Sequence, residues 1–350
     1  MVAPRLTGEL HLQRTILVNY PWPEFMPRTG LMLSCAIALA SCCAPGAFAA
    51  DATYPQRPVR LIIPQSPGGA SDTVGRIVAQ KLSERLGQTI VSDNRPGATG
   101  NIGAELVARA AADGYTMLLT APNLVTSPSL YARVGFDPVK DFAPVSQLAT
   151  SPNVWLVHPA FAAKSMKDLI AVAKSKPRQI DFSSSGIAST QHLAGELLNI
   201  LSGIELVHVP YKGGGPALLD LMAGRVPVMV SSLPSAGPRK AGKVRALAVT
   251  SAKRSTSTPE LPTVAEATGY AGYEASTWQG FVFPAATARR IVQRMADETV
   301  EVLRMGDVRG RLLDLGYEPV GGTPAEFTAH ISRELARWSK VIKGAGIKPE

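Results

Sequence analysis

The apolar positions of this chain change period along its length, and the change divides it into strands and helices. Val59, Leu61, Ile62 and Ile63 form a short continuous apolar run inside Arg57–Pro64, which predicts a buried strand. After a loop, Gln65-Ser66-Pro67-Gly68-Gly69-Ala70, the apolar residues Val74, Ile77, Val78 and Leu82 recur at helical spacing until Gly87. Thr89–Ser92 reads as a second strand, Ile102–Ala112 as a second helix and Tyr115–Thr120 as a third buried strand. Strand and helix in alternation indicate parallel α/β layers.

The alternation resumes further on. Strands are expected at Val145–Ala149, Asn153–His158, Ile180–Ser183, Val207–Val209, Val226–Val230 and Val244–Val249, with helices at Lys167–Lys174, Leu193–Leu201 and Pro216–Ala223. This marks a second α/β unit from about residue 150 to about 275. Thr277–Phe283 reads as a strand going back, and the remainder as helices at Ala288–Arg304, Val308–Leu315 and Pro324–Ile342. No internal repeat and no low-complexity tract is visible. A length of 350 residues suits two lobes with separate cores.

Four strand-to-helix junctions share one chemistry: Pro67-Gly68-Gly69-Ala70-Ser71-Asp72, Gly97-Ala98-Thr99-Gly100-Asn101, Ser183–Thr190 and Gly213-Gly214-Gly215-Pro216. Ser71 or Asp72 is expected to cap its helix, and Pro216 to occupy the first helical position. Ligands of open parallel sheets bind beyond the carboxyl ends of the strands. There the helix N-termini offer unpaired N–H groups and partial positive charge, while glycine permits close backbone approach. Two junctions in each unit therefore point to a cleft for an anion such as a carboxylate, held without cofactor or metal.

Composition narrows the alternatives. Aromatic residues make up only 6% of the chain, too few for a surface that stacks nucleic-acid bases. The net charge of +9 is scattered without a block of like charge, and would at most draw anions from a distance. Arg28, the apolar run Leu31–Ala40 and Ala47-Phe48-Ala49 have the order of a signal peptide, so residues 1–50 read as an N-terminal extension plus export signal, with Met26 a candidate true start. Cleavage near Ala49 would remove Cys35, Cys42 and Cys43, leaving no disulfide, thiol nucleophile or cysteine metal site. Leu39-Ala40-Ser41-Cys42 also resembles a lipoprotein box, which would leave a lipidated Cys42.

Catalytic signatures are missing. No phosphate-binding G-x-x-x-x-G-K-[ST], no G-x-G-x-x-G at these glycines, no H-E-x-x-H and no G-x-S-x-G occurs. His192 fits a pocket donor and a structural hydrogen-bonder equally. Trp278 reads as a core or hinge aromatic, while the hydroxyl of Tyr211 lies on a junction loop. Ser184 and Ser185 would be the nucleophiles of an exported hydrolase, but no acid–base partner is apparent nearby.

The ordered motifs carry a resemblance. They are Tyr54-Pro55-x-Arg57-Pro58-Val59-Arg60, Pro67-Gly68-Gly69-x-x-Asp72, Asn94-Arg95-Pro96-Gly97-Ala98-x-Gly100-Asn101-Ile102-Gly103, Asp113-Gly114-Tyr115-Thr116, His192-Leu193-x-x-Glu196, Val209-Pro210-Tyr211-Lys212-Gly213, Leu261-Pro262-Thr263-Val264-x-Glu266 and Thr277-Trp278-x-Gly280. Over residues 54–345 the chain resembles the substrate-binding proteins of tripartite tricarboxylate transporters, the TctC or Bug receptors. That resemblance implies a type II periplasmic-binding-protein fold, two doubly wound lobes joined by two crossing strands. The first lobe would comprise residues 51–150 and 279–350, the second 151–278. It implies a monomeric periplasmic receptor, not an enzyme, that captures a small organic acid for membrane transporter subunits. A ligand-presenting subunit of a sensor kinase is the other reading. Matching pocket positions are Ser66, Gly68, Gly69, Asp72, Thr99, Asn101, Thr120 and Asn123, with Ser185, Ser189, Thr190, His192 and Tyr211. The family's usual Asp and aromatic after Gly224 are replaced here by Arg225-Val226-Pro227-Val228-Met229-Val230-Ser231-Ser232, which leaves the ligand's identity open.

Overall fold

The computed structural model describes residues 54–239 and 241–347, so the expected export signal and its cleavage site lie outside the described residues. Among the described residues eleven strands form two sheets. In chain order they are β1 (Val59–Ile63), β2 (Ile90–Asn94), β3 (Thr116–Thr120), β4 (Phe142–Ser151), β5 (Asn153–Val157), β6 (Asp181–Ser184), β7 (Val207–Pro210), β8 (Val228–Ser232), β9 (Arg245–Val249), β10 (Thr277–Pro284) and β11 (Glu318–Gly321).

The six-stranded sheet runs β2-β1-β3-β10-β4-β11 and the five-stranded sheet β7-β6-β8-β5-β9. In each, three parallel strands are followed by one antiparallel insertion, β10 in the first and β5 in the second. The insertions are the crossing strands. β4 passes through Pro152 into β5, and the segment after β9 enters β10. The result is a type II periplasmic-binding-protein fold of two doubly wound lobes. Both sheets share one strand order, a repeat that the sequence does not display.

Among the described residues ten α-helices cover the sheets: α1 (Ala70–Leu86), α2 (Asn101–Ala108), α3 (Asn123–Leu130), α4 (Met166–Ser175), α5 (Thr190–Ser202), α6 (Gly214–Met222), α7 (Val264–Thr268), α8 (Arg289–Arg304), α9 (Gly306–Asp314) and α10 (Pro324–Gly344). Val59, Leu61 and Ile63 pack with Val74, Val78 and Leu82 of α1 on one face of the first sheet, whereas Ile62 and Leu118 belong to the core on its other face. β1 is therefore buried on both faces, as its continuous apolar run requires. Among the described residues no helix is long and apolar enough to cross a membrane.

Three elements went unread in the sequence. α3 lacks a clean helical period and carries Pro128 inside it. β11 is a four-residue edge strand whose pairing with β4 is its main support. α7 is five residues long, held by a capping box between Thr263 and Glu266. The second helix stops at Ala108 and not at Ala112, because the following turn is held elsewhere: Arg57 pairs with Asp113 at 2.9 Å and the Tyr54 hydroxyl donates to the Gly114 carbonyl at 2.6 Å. Trp278 is a core residue. It is 1% exposed, and its indole N–H and that of Trp338 both donate to Glu334 Oε2, at 3.2 and 2.9 Å. Burial pushes the Glu334 carboxyl up, against the opposing pull of Arg337.

Candidate functional site

The carboxyl ends of the parallel strands in both lobes face a cavity of about 820 Å³. The first lobe supplies Gln65, Gly68, Ser71, Thr73, Thr99, Pro122, Asn123, Thr126, Leu130, Tyr131, Gln279, Leu315 and Tyr317. The second supplies Ser185–Gln191, Ser232, Pro234 and Ser235, and Thr277 lies at the crossing. No lysine, arginine, histidine, aspartate or glutamate is among the lining residues.

The loop from Gln65 to Gly69 is shaped from behind. α1 starts at Ala70 with Gly69 as its N-cap, and no side chain caps it. Neither Ser71 nor Asp72 holds the expected cap position, because the helix begins too early for either. Asp72, at the third helical position and 3% exposed, reaches back and accepts the Gly68 N–H at 2.9 Å. It also accepts from Arg76 Nε at 2.9 and 3.0 Å and from Asn94 Nδ2 at 2.9 Å, and Asn94 Nδ2 donates further to the Gln65 carbonyl at 2.9 Å. Burial pushes the Asp72 carboxyl up, but these hydrogen bonds outweigh it and hold the group below the usual carboxylate range.

The second junction bends through Ala98 and Thr99, both at positive φ. Gly100 follows at φ +95°, where a Cβ would stand 2.5 Å from Asn123 Nδ2. Asn123 Nδ2 donates to the Thr99 carbonyl at 2.8 Å, and the Thr99 hydroxyl meets that of Tyr131. Asn101 and Thr120, 8% and 2% exposed, lie behind this wall.

The third junction is the most fully built. The Ser189 hydroxyl caps α5 by accepting the His192 N–H at 3.2 Å and donates to the Gly186 carbonyl at 2.8 Å. Thr190 and Gln191 follow, in the first turn, whose N–H groups have no intrahelical acceptor. Ser185 Oγ donates to Gln191 Oε1 at 2.9 Å, and the Thr190 hydroxyl meets that of Thr277 at 3.0 Å.

Beneath the loop, His192 Nδ1 accepts the Ala188 N–H at 2.9 Å and its ring stacks on His208 at 3.6 Å. His192 thus shapes the loop from below. Ser184 has a histidine partner that the sequence did not reveal: its hydroxyl lies 2.6 Å from His208 Nε2. Burial, then the neighbouring His192, pushes His208 down to about 3. Ser184 is wholly buried, donates to the Gly186 carbonyl at 3.0 Å, and is not among the lining residues. Ser185, which does line the cavity, is engaged by Gln191 instead of a base.

The fourth junction departs from expectation. α6 starts at Gly214, so Pro216 is at the third helical position and not the first, still within the turn that needs no N–H donor. Gly213–Gly215 do not line the cavity, and the Tyr211 hydroxyl donates to Asp220 at 2.7 Å. Ser66 and Gly69 are exposed and outside the lining. The sequence-derived residues that meet at the cavity are Gly68, Thr99, Asn123, Ser185, Ser189 and Thr190.

In place of the fourth junction comes the end of β8, where Ser232 Oγ and Ser235 Oγ are 2.8 Å apart. It closes the stretch Arg225–Ser232, where the motif resemblance implied a departure from the family. Thr277 and Gln279 were also missed. They alternate with the buried Trp278, so the period-two rule of strands was their available signal. Tyr317 and Leu315 lie beyond a helix end and carried no signal.

A family model described as the tripartite tricarboxylate transporter family receptor matches residues 74–347. The chain belongs to this receptor family. It is 35% identical over 326 residues to protein BugT of Bordetella pertussis, covering 92% of this chain and 99% of BugT. Among solved structures it is similar to Rpa4515 of R. palustris with adipate: 40% identity, TM-score 0.71, covering 85% of this chain and all of that one. It is also similar to MatC of Rhodopseudomonas palustris with bound malate: 30% identity, TM-score 0.67, covering 83% of this chain and all of that one. This TctC/Bug membership agrees with the motif resemblance and with the two-lobed fold.

Proposed function

We propose that this protein is a periplasmic receptor that closes on a small organic acid and delivers it, unaltered, to the membrane subunits of a tripartite tricarboxylate-type transporter. The observation that carries the reading is the uncharged cavity lined from both sheets, with the open first turn of α5 on one wall. Backbone N–H groups and small hydroxyls neutralise a carboxylate without a fixed cation, and release it without breaking an ion pair. The adipate of Rpa4515 and the malate of MatC support an acid as the ligand class here.

In this reading Gly68, Thr99, Asn123, Ser185, Ser189 and Thr190 touch the acid. Ser66, Gly69, Asp72, Asn101, Thr120, His192 and Tyr211 act from outside the contact surface. Residues 51–150 with 279–350 form one closing body and residues 151–278 the other. The receptor works as a monomer, exported by cleavage near Ala49. Calorimetric titration of the ligand-stripped mature protein with di- and tricarboxylates and aromatic acids tests it. Saturable one-site binding is expected, and failure of every organic acid to bind would overturn it.

A further inference from the structure

We infer that the acid carries a substantial apolar body, a methylene chain or an aromatic ring, and is not a short, fully polar carboxylate. The inference rests on the proposed carboxylate-binding role and narrows it. Ten large apolar side chains are exposed by a third or more among the described residues, and two of them line the cavity from opposite lobes. Ile187 of the β6–α5 loop is 59% exposed and Leu315, after α9, is 38% exposed. Neither is fixed there by backbone necessity: Ile187 lies between Gly186 and Ala188 on the binding loop, and Leu315 at the end of a helix whose buried face is made by Val308 and Leu312.

Leu130 and Pro234 extend this apolar lining, one on each lobe. Around these four the hydrogen-bonding groups are neutral, from the Gly68, Thr99 and Ser185–Gln191 loops and from Asn123, Ser232 and Thr277, and no charged side chain lines the cavity for further anionic groups. A short polyanion would leave Ile187 and Leu315 in water and bring more charge than the neutral donors can match. An acid with a hydrocarbon body covers both side chains and asks the donors for no more than its carboxylate ends.

The test is a calorimetric series on the mature protein with succinate, adipate and suberate, repeated on Ile187→Ser and Leu315→Ser. Both positions are exposed, so both variants are expected to melt as the parent does, and thermal melts verify this. Affinity of the parent is expected to rise along the series by roughly fourfold for each methylene covered. Each serine variant is expected to flatten that rise. A flat or falling series in the parent, or an unchanged slope in both variants, would overturn the inference while leaving carboxylate capture intact. Absence of binding by every acid would overturn the proposed function and this inference with it.

Discussion

Gln191 Nε2 donates to Asn153 Oδ1 at 2.8 Å, which ties the cavity wall to the strands that join the lobes. Gln191 receives the Ser185 hydroxyl on one side. Asn153 begins β5, directly after the crossing at Pro152, and its amide donates to the Ala275 carbonyl at 2.7 Å. Thr250 donates to that same carbonyl at 3.0 Å and accepts the Asn153 N–H at 2.9 Å. The two crossing segments are thus bonded to each other, and the ligand loop is bonded to both.

Asn153→Ala is therefore expected to act at a distance from the ligand. It takes one of two donors from the Ala275 carbonyl, which keeps Thr250, and removes the acceptor of the Gln191 amide at a wholly buried position. Stability should fall by about 1–3 kcal/mol, and affinity for the acid should weaken because Gln191 loses its anchor. Denaturant titration and calorimetry on the same variant measure the two effects. An unchanged affinity would show that the crossing strands do not set the loop.

Asp72 and Arg76 give a second test. Asp72 is a negative charge one hydrogen bond behind Gly68 in a wall proposed to hold an anion, and Arg76 offsets it. Arg76→Leu should weaken acid binding roughly tenfold, on the scale of one charge-assisted hydrogen bond. The double variant Arg76→Leu with Asp72→Asn should regain most of that loss, since the uncompensated charge is gone. Calorimetry on both decides it, and no recovery in the double variant would count against charge compensation.

Tyr211→Phe separates placement from sequence position. The Tyr211 hydroxyl is spent on Asp220, outside the cavity. The expected result is affinity within about twofold of the parent, with a stability loss of about 1 kcal/mol for the missing hydrogen bond. A large loss of affinity would place Tyr211 against the ligand after all.

Gly280 has no room for a side chain, because a Cβ there would lie 2.1 Å from the Phe327 ring. Gly280→Ala should overpack the contact between β10 and α10 and cost about 1–3 kcal/mol. A thermal melt with a midpoint equal to the parent's would refute the tight contact.

Acid should loosen the fold through its half-buried histidines. Burial, then His192, pushes His208 from 6.5 to about 3; burial, then Arg333 and Arg337, pushes His330 to about 4. The unfolded chain takes up these protons first, so their contribution is whole above about 6.5 and is lost as pH falls through the native values. Melting temperature is expected to drop by a few degrees between pH 7 and pH 5. His208→Gln should reduce that slope, and an equal slope in the variant would remove His208 as a cause.

Apart from α3, α7 and β11, the order of strands and helices was legible in the chain, as was the two-lobed α/β class. The reason is physical: a strand buried on both faces needs a continuous apolar run, as in Val59–Ile63, and a surface helix needs the spacing of Val74, Ile77, Val78 and Leu82. Glycine and hydroxyl residues at strand ends likewise marked Gly68, Thr99 and Ser185–Thr190 as candidates for the cleft. What the tertiary structure alone decided was which of these residues meet. Whether a junction loop reaches the cavity depends on the strand it follows and on the partners its side chains find. Asp220 holds Tyr211 outside the cavity and the fourth junction stays off its wall, while Ser232 at the end of β8 enters. The partnerships of Ser184 with His208, of Glu334 with Trp278 and of Gln191 with Asn153 join residues 24, 56 and 38 positions apart. No local period encodes such pairs, because only the packing of separate elements brings them together.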